Sequence, residues 1–404
     1  MRRVSAFVRK LLLSLVLAGL VAASDFPAVP QAFAGEALAA AVAGTRKVSK
    51  KAAAANAVPD DSENELYEGR EDLPGENFSE PWPSVTRIAD MLPARTVKDG
   101  PGEWIYETQH FRFVSDAPLA LSAVKEIARI FEGTYTANLA LPIDSPCGHY
   151  QVCERGRFIA QLFEHYDDYI KAGGHEGSAG VFIWQEWRLN GTLVDTGMEK
   201  GRVLVPFRSL GLEKRGPRYV RSGRKIEAKT LAHEITHHMT CPGANLPKWL
   251  AEGLAEYVGL SYEGNGQTRF SGNRNTISKF VSDYGENRAG GRAIGKKPQV
   301  DATLQQFLTG AKTFPGTQSD QVNYGVSALL VYYFFHLDGK RDAARIKKYI
   351  AALHRGISPQ EASAFLLDGR DWTQLEKEIC RRLKSTMKIE PQFDDGVEVA
   401  FPPR

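Results

Sequence analysis

Residues 231–259 read LAHEITHHMTCPGANLPKWLAEGLAEYVG, a stretch that places three histidines within six positions and then two glutamates four apart. Residues i and i+4 of a helix lie on one face, one turn apart, so His233 and His237 can direct both imidazole rings to one point. Two imidazoles at this spacing can bind one metal ion. The stretch therefore predicts a metal-binding helix over residues 227–240, and the alternative is a polar seam between two helices.

The residue after the first of these histidines is a glutamate, whose carboxylate can act as a base beside a bound metal. Glu234 projects beside the metal position, where its carboxylate can accept a proton from a metal-bound water. Nine histidines and 28 glutamates placed at random in 404 residues would produce a His-Glu-x-x-His sequence about 0.014 times. Chance is therefore a poor explanation of the motif.

The residues after the motif predict a second helix that returns to the metal. Pro242 and Gly243 end the first helix, and Pro247 suits the first turn of the next one, over residues 247–259. A catalytic zinc ion usually has three protein ligands and one open position. Folded back antiparallel, the second helix can direct Glu252 at the metal, whereas a pair of solvated surface glutamates is the commoner arrangement in general.

The motif and the helix after it resemble a known family. HEITH (233–237) followed by WLAEGLAEY (249–257) resembles the gluzincin branch of zinc peptidases and is similar to the peptidase MA-like superfamily. The resemblance follows the order of elements over about 104–387, and its specific motifs lie within 229–259. It implies a zincin-like α+β fold with a small mixed sheet, the HExxH active-site helix and a helical C-terminal lobe.

The resemblance also implies a set of site residues. The zinc ligands would be His233, His237 and Glu252, with Glu234 as the general base. Glu256, four positions after the third ligand, would hydrogen-bond a ligand histidine. His238 is expected to pack against the core or to support the site. Structural roles are expected for the other histidines, which are His110, His149, His165, His175, His336 and His354.

Two further segments bear on the reaction. NYGVSALLVYYFF (323–335) resembles the tyrosine-led helix of the family, which makes Tyr324 a candidate donor to the oxyanion of the reaction. A core aromatic is the alternative role for Tyr324. The motif with which aminopeptidase relatives hold a free amine is absent, because residues 196–200 read TGMEK, with lysine where asparagine should stand. This difference favours an endopeptidase.

Apolar patterns predict the rest of the α+β architecture, with an N-terminal α+β part at 99–226 and a helical, zinc-binding part at 227–388. Helical spacing covers 119–139, and alternation predicts strands within 110–116 and 157–163. Two further strands are predicted at VFIW (181–184) and RVLVPF (202–207), the second of which is ended by its proline. RVLVPF (202–207) is expected to be an edge strand that can pair with an extended peptide. Beyond residue 226 the pattern predicts helices over 227–240, 247–259, 322–337, 341–354, 359–367 and 371–387.

The N-terminus predicts export. Arg2, Arg3, Arg9 and Lys10 precede a charge-free apolar run at 11–23, which is too short to span a bilayer and is typical of a signal peptide. Ala32-Phe33-Ala34 favours cleavage after residue 34, with an earlier site at Ala23 as the alternative. The expected product is periplasmic or secreted, with no membrane span after the signal is removed.

Composition predicts that residues 35–98 form a disordered linker, because they are first alanine-rich and then acidic, with little to bury. Removing residues 1–34 removes four basic and one acidic residue, so the net charge falls from +3 to 0. Nucleic acid is therefore not an expected partner. Residues 389–404, with three prolines, are expected to be an irregular tail.

Four cysteines allow three disulfide pairings in an oxidising compartment. Cys147 and Cys153 are the expected pair, because five intervening residues close a small loop; Cys241 and Cys380 are the others. A metal role for CGHYQVC (147–153) matches no common structural zinc spacing.

Two functions remain open at this point. The first is an exported zinc endopeptidase that acts on peptide or protein substrates through a zinc-activated water. The second is a non-catalytic envelope module for binding or assembly that retains the zincin scaffold.

Overall fold

The computed structural model of the chain describes residues 84–88, 92–100, 102–143, 157–184, 188–189, 192–193, 201–240, 246–283, 291–311, 314 and 319–394. All of these residues belong to the unit Glu71–Arg404. The predicted signal peptide, residues 1–34, lies outside the described residues.

Up to residue 226, the described residues form mainly strands. In chain order the elements are β1 (Val85–Arg87), β2 (Arg95–Gly100), β3 (Glu103–Glu107), β4 (Phe111–Ser115), α1 (Leu121–Leu139), β5 (Phe158–Phe163), α2 (Tyr166–Lys171), β6 (Val181–Trp184), β7 (Arg188–Leu189), β8 (Thr192–Leu193), β9 (Gly201–Pro206), a 3-10 turn (Phe207–Leu210), β10 (Leu212–Arg215) and β11 (Arg218–Arg221).

Beyond residue 226, the described residues are mainly helical. The elements are α3 (Ala228–Thr240), α4 (Lys248–Ser261), β12 (Tyr262–Gly264), β13 (Gln267–Arg269), α5 (Arg274–Ser282), β14 (Gln299–Val300), α6 (Leu304–Leu308), α7 (Ser319–His336), α8 (Ala344–His354), α9 (Pro359–Leu367), α10 (Trp372–Met387) and β15 (Gln392–Phe393).

The largest sheet within the described residues is mixed and has six strands in the order β2-β3-β4-β5-β9-β6. Strands β2, β3 and β4 pair antiparallel, β4, β5 and β9 pair parallel, and β6 returns antiparallel to β9. The α+β class with a mixed sheet, predicted from the sequence, is therefore confirmed.

The predicted edge strand was wrong. RVLVPF forms β9, which lies between β5 and β6, so β6 is the strand at this edge of the sheet. The physical reason is visible in the run Val203-Leu204-Val205, because a continuous apolar run is typical of a strand buried on both faces. All three side chains are fully buried.

One face of the sheet packs against α1 and α3 in an apolar core. Val203 and Val205 point into this core together with Leu231, Ile235 and Met239 of α3. Alternate residues of a strand point to opposite faces. On the other face, accordingly, Leu204 packs with Phe163 and with Tyr169 of α2. The helix with the His-Glu-x-x-His motif is therefore held by the sheet.

A second apolar core is helical and surrounds α7. Every residue of α7 from Val326 to Phe335 is buried, and α4, α5, α8 and α10 contribute side chains to the same core. Gly253 of α4 allows close contact with α7, because a Cβ there would lie 2.7 Å from the Ser327 carbonyl oxygen. Helices α3 and α4 therefore belong mainly to different cores and meet where these cores join.

Helix boundaries agree closely with the sequence prediction, and the differences lie elsewhere. Part of the segment predicted to be disordered is ordered, since β1 and the first four residues of β2 fall within residues 35–98. The predicted irregular tail, residues 389–404, contains β15, which pairs with β14, and both Ile389 and Phe393 are buried. The short helices α5 and α6 and the β12–β13 hairpin were not predicted.

Candidate metal centre

Two histidines of α3 face each other one helical turn apart. The Nε2 atoms of His233 and His237 are 3.1 Å apart, with ring centroids separated by 4.7 Å. Leu231, Ile235 and Met239 lie on the opposite side of the same helix and are fully buried. The apolar face thus anchors α3 to the sheet core, and the imidazoles are directed away from it.

Helix α4 runs antiparallel to α3 and lies very close to it. A Cβ on Gly259 would lie 2.7 Å from the backbone oxygen of Lys229 and 3.5 Å from the Cβ of His233. Two turns earlier in α4, the side chain of Glu252 contacts both His233 and His237. Only glycine permits this approach of the two backbones. The close approach is what allows a side chain as short as glutamate to reach the histidines.

The three predicted metal ligands form one cluster. Glu252 Oε2 lies 3.4 Å from His233 Nε2 and 3.2 Å from His237 Nε2, and Glu252 is only 5% exposed. Burial would raise the pKa of Glu252, but His237 and His233 beside it hold that pKa well below its ordinary value. These two nitrogens and one oxygen converge closely enough to hold a metal ion.

The second oxygen of Glu252 points away from the histidines. Glu252 Oε1 forms an ion pair with Lys248 Nζ at 2.6 Å, and the lysine side chain is 49% exposed. The two oxygens of the carboxylate therefore have different partners.

Glu234 lies next to the cluster and is fixed by the sheet edge. Its Oε2 atom accepts a hydrogen bond of 2.8 Å from the backbone N–H of Phe182 in β6. Gly180 precedes this strand, and a Cβ at that position would lie 3.8 Å from Glu234 Cγ. Glu234 is half-buried, so its carboxylate is held at the sheet edge while remaining reachable.

Behind His233 there is a second carboxylate with a cationic partner. Glu256 Oε1 is 3.8 Å from His233 Nδ1, too far for a hydrogen bond, and it forms an ion pair with Arg292 Nη2. Arg292 Nη1 also donates to Gln321 Oε1 of α7 at 2.9 Å. Sequence reasoning missed Arg292, because it stands 36 residues from Glu256 in no recognisable motif.

Tyr324 lies in the second turn of α7, not at the start of a helix as predicted, because α7 begins at Ser319. The Arg292 guanidinium carbon is 4.7 Å from the Tyr324 ring centroid, and Phe314 packs against the ring edge-on. Burial, followed by the negative charge of Glu252, raises the pKa of Tyr324 above its usual range. The phenol is therefore neutral, near the ligand carboxylate, and able to donate a hydrogen bond.

His238 does not join the cluster. It is fully buried, with the rings of Phe158 and Phe182 at 4.9 and 5.1 Å. Burial lowers the pKa of His238 to about 3, against the opposing effect of the Gly201 backbone, so the ring is neutral and packs as an aromatic.

Two other histidines have polar partners that are not among the three predicted metal ligands. His110 Nδ1 is 2.6 Å from Glu132 Oε2, and His336 Nε2 is 2.8 Å from the Tyr257 hydroxyl. Of the cysteines, Cys380 is a free thiol. The predicted Cys147–Cys153 pair, Cys241, His149 and residues 196–200 lie outside the described residues.

Comparison with known proteins leaves the family open: no protein-family model matches the chain, and no curated protein matches it. In the part of the chain that the structure describes, no helix is long and apolar enough to cross a membrane.

Proposed function

We propose that the chain is an exported zinc peptidase with a zincin-like fold, acting within peptide chains as an endopeptidase. One observation carries the proposal: the ligand atoms of His233, His237 and Glu252 converge within 3.1–3.4 Å of one another, and Glu234 directly follows His233 in the same helix. The basic N-terminus and the apolar run at 11–23 support export.

The donor set fits zinc. Two imidazole nitrogens and one carboxylate oxygen are ligands that catalytic zinc sites commonly combine. Two ligand atoms of a tetrahedral zinc, each about 2.0–2.1 Å from the ion, are about 3.3–3.4 Å apart. The distances between Glu252 Oε2 and the two histidine Nε2 atoms, 3.2 and 3.4 Å, agree with that separation.

When bound, zinc would act as a Lewis acid that polarises the scissile carbonyl and lowers the pKa of a water molecule to roughly 7. The remaining steps belong to side chains of this chain. Glu234 accepts a proton from the attacking water and passes it to the leaving amine. The hydrogen bond from the Phe182 N–H keeps the carboxylate of Glu234 at one position for both transfers.

The substrate is proposed to bind along β6. This strand is at the edge of the sheet, and its residues 181–184 are half-buried. An extended peptide can add to such an edge through backbone hydrogen bonds while its side chains occupy pockets. Phe182 lies in this strand and contacts Glu234, so a peptide on β6 would pass beside the general base.

Tyr324 is proposed to stabilise the negative charge that forms on the carbonyl oxygen. Its phenol is neutral at physiological pH and lies near Glu252. A donor of this kind typically contributes on the order of 100-fold in rate.

Two variants of the full chain test the proposal. Glu234→Gln should retain bound zinc and lose hydrolysis, whereas His237→Ala should lose both. Zinc is measured by elemental analysis of the purified protein, and hydrolysis by mass spectrometry after digestion of a peptide library and a denatured protein. Full activity of Glu234→Gln would contradict the mechanism. Wild-type protein that holds zinc and cleaves nothing would favour the alternative, a non-catalytic binding module.

A further inference from the structure

The two oxygens of the Glu252 carboxylate contact different partners. Its Oε2 atom faces the histidine pair at 3.2 and 3.4 Å, and its Oε1 atom forms an ion pair with Lys248 Nζ at 2.6 Å. Carboxylates can bind a metal through one oxygen or through both. In this chain, the oxygen that would provide the second bond is already engaged by a cation.

Helix energetics do not explain why a lysine stands at this position. Lys248 is the first residue of α4, after Pro247 at the N-cap, where a positive charge is unfavourable to the helix dipole. Ion pairs one turn apart are also weaker with lysine before glutamate than in the reverse order. Because the lysine side chain is 49% exposed, its pair with Glu252 adds little to stability.

We propose that Lys248 is a positioning residue: its ion pair with Oε1 of Glu252 prevents that oxygen from binding a metal, so that Glu252 coordinates through Oε2 alone. A catalytic zinc ion needs one position free of protein ligands. By holding the second oxygen, Lys248 would keep that position open for water and for the substrate carbonyl. This inference rests on the metal site of the proposed function and adds a determinant of its coordination number.

Cobalt(II) provides a test that does not depend on hydrolysis, because four-coordinate cobalt(II) absorbs visible light more strongly than five-coordinate cobalt(II). The full chain is purified without metal and titrated with cobalt(II) as wild type, Lys248→Met, Lys248→Arg and Lys229→Met. Lys229 is a matched control, since it is an exposed lysine in the first turn of α3, four residues before the ligand His233.

We expect Lys248→Met to bind cobalt at least as tightly as wild type, with weaker visible absorption, because Glu252 can then bind through both oxygens. Lys248→Arg should restore the wild-type spectrum, since a guanidinium can donate to Oε1. Lys229→Met should match wild type. If the protein is a peptidase, turnover of Lys248→Met should fall about 10–100-fold, as is typical for partners of metal ligands.

Three results would overturn the inference. The first is a wild-type spectrum for Lys248→Met. The second is a loss of cobalt affinity of about tenfold or more in Lys248→Met, which would mean that Lys248 only holds the carboxylate in place. The third is an equal spectral change in Lys229→Met, which would indicate a general charge effect. None of these results depends on peptide cleavage, so a failure of the peptidase function remains distinguishable.

Discussion

Replacing Gly259 with alanine tests whether the close approach of α3 and α4 builds the metal site. The added Cβ would lie 2.7 Å from the Lys229 backbone oxygen, whereas real Cβ contacts essentially never fall below 3.0 Å and rarely below 3.4 Å. The two backbones must therefore separate by about 0.3–0.7 Å. In a regular helix the Lys229 oxygen accepts from the His233 N–H, so the displacement acts on the turn that carries the first ligand.

The expected energies differ between folding and metal binding. Crowding of this kind costs about 1–3 kcal/mol. Alanine recovers about 1 kcal/mol of helix propensity, so the free energy of unfolding should fall by no more than about 2 kcal/mol. Ligand atoms only 3.1–3.4 Å apart tolerate little displacement, and zinc affinity should fall by about 10–100-fold.

The assay combines urea unfolding of the metal-free protein with competition for zinc against a chromophoric chelator. Gly100→Ala is the control, because a Cβ on Gly100 in β2 would have no atom within 4 Å. The reasoning would be refuted if Gly259→Ala bound zinc with wild-type affinity. It would also fail if Gly100→Ala lost the same affinity.

Three further substitutions follow from the structure. Tyr324→Phe should lower turnover about 100-fold with unchanged zinc content and melting temperature; near wild-type turnover would place the oxyanion donor elsewhere. Arg292→Met leaves the buried Glu256 carboxylate without its cation, so urea unfolding should show a loss of about 3–5 kcal/mol, and an unchanged midpoint would contradict this role. Burial lowers the pKa of His336 from 6.5 to about 4. Between these pH values the unfolded chain binds a proton that the folded chain does not, so the free energy of unfolding should fall by about 3 kcal/mol as pH drops from 6.5 to 4. His336→Gln should flatten that dependence in urea titrations, and an identical pH profile would rule out the assignment.

The two helices of the candidate metal centre could be predicted because local pattern and long-range packing agree there. The apolar positions of α3 recur at helical spacing, and Pro247 marks the start of α4, so the two helices were predicted within about two residues of their observed ends. The convergence of His233, His237 and Glu252 also follows from spacing within helices that pack side by side. Local sequence was sufficient in both cases.

Other features depend on contacts that no local pattern records. Most residues of β2 are polar and exposed, so its sequence resembles that of a linker. Its pairing with β3, which the sequence does not show, makes it a strand. The order of strands in the sheet is set by tertiary pairing, and for this reason the edge strand is β6 and not β9 as predicted. Arg292 reaches Glu256 across 36 residues of chain. The sequence shows the charge of Arg292 but gives no indication of its partner.

The position of the site between two cores has a consequence for local opening. Amide hydrogens of α7 within Val326–Phe335, where every residue is buried, should exchange only when the whole protein unfolds, whereas a partial opening between α3 and α4 would leave each core intact. Such an opening would separate Glu252 from both histidines, and a metal that binds only the closed arrangement would suppress it by mass action. A chelator should therefore accelerate hydrogen exchange at the facing surfaces of α3 and α4 while leaving the protection of α7 unchanged.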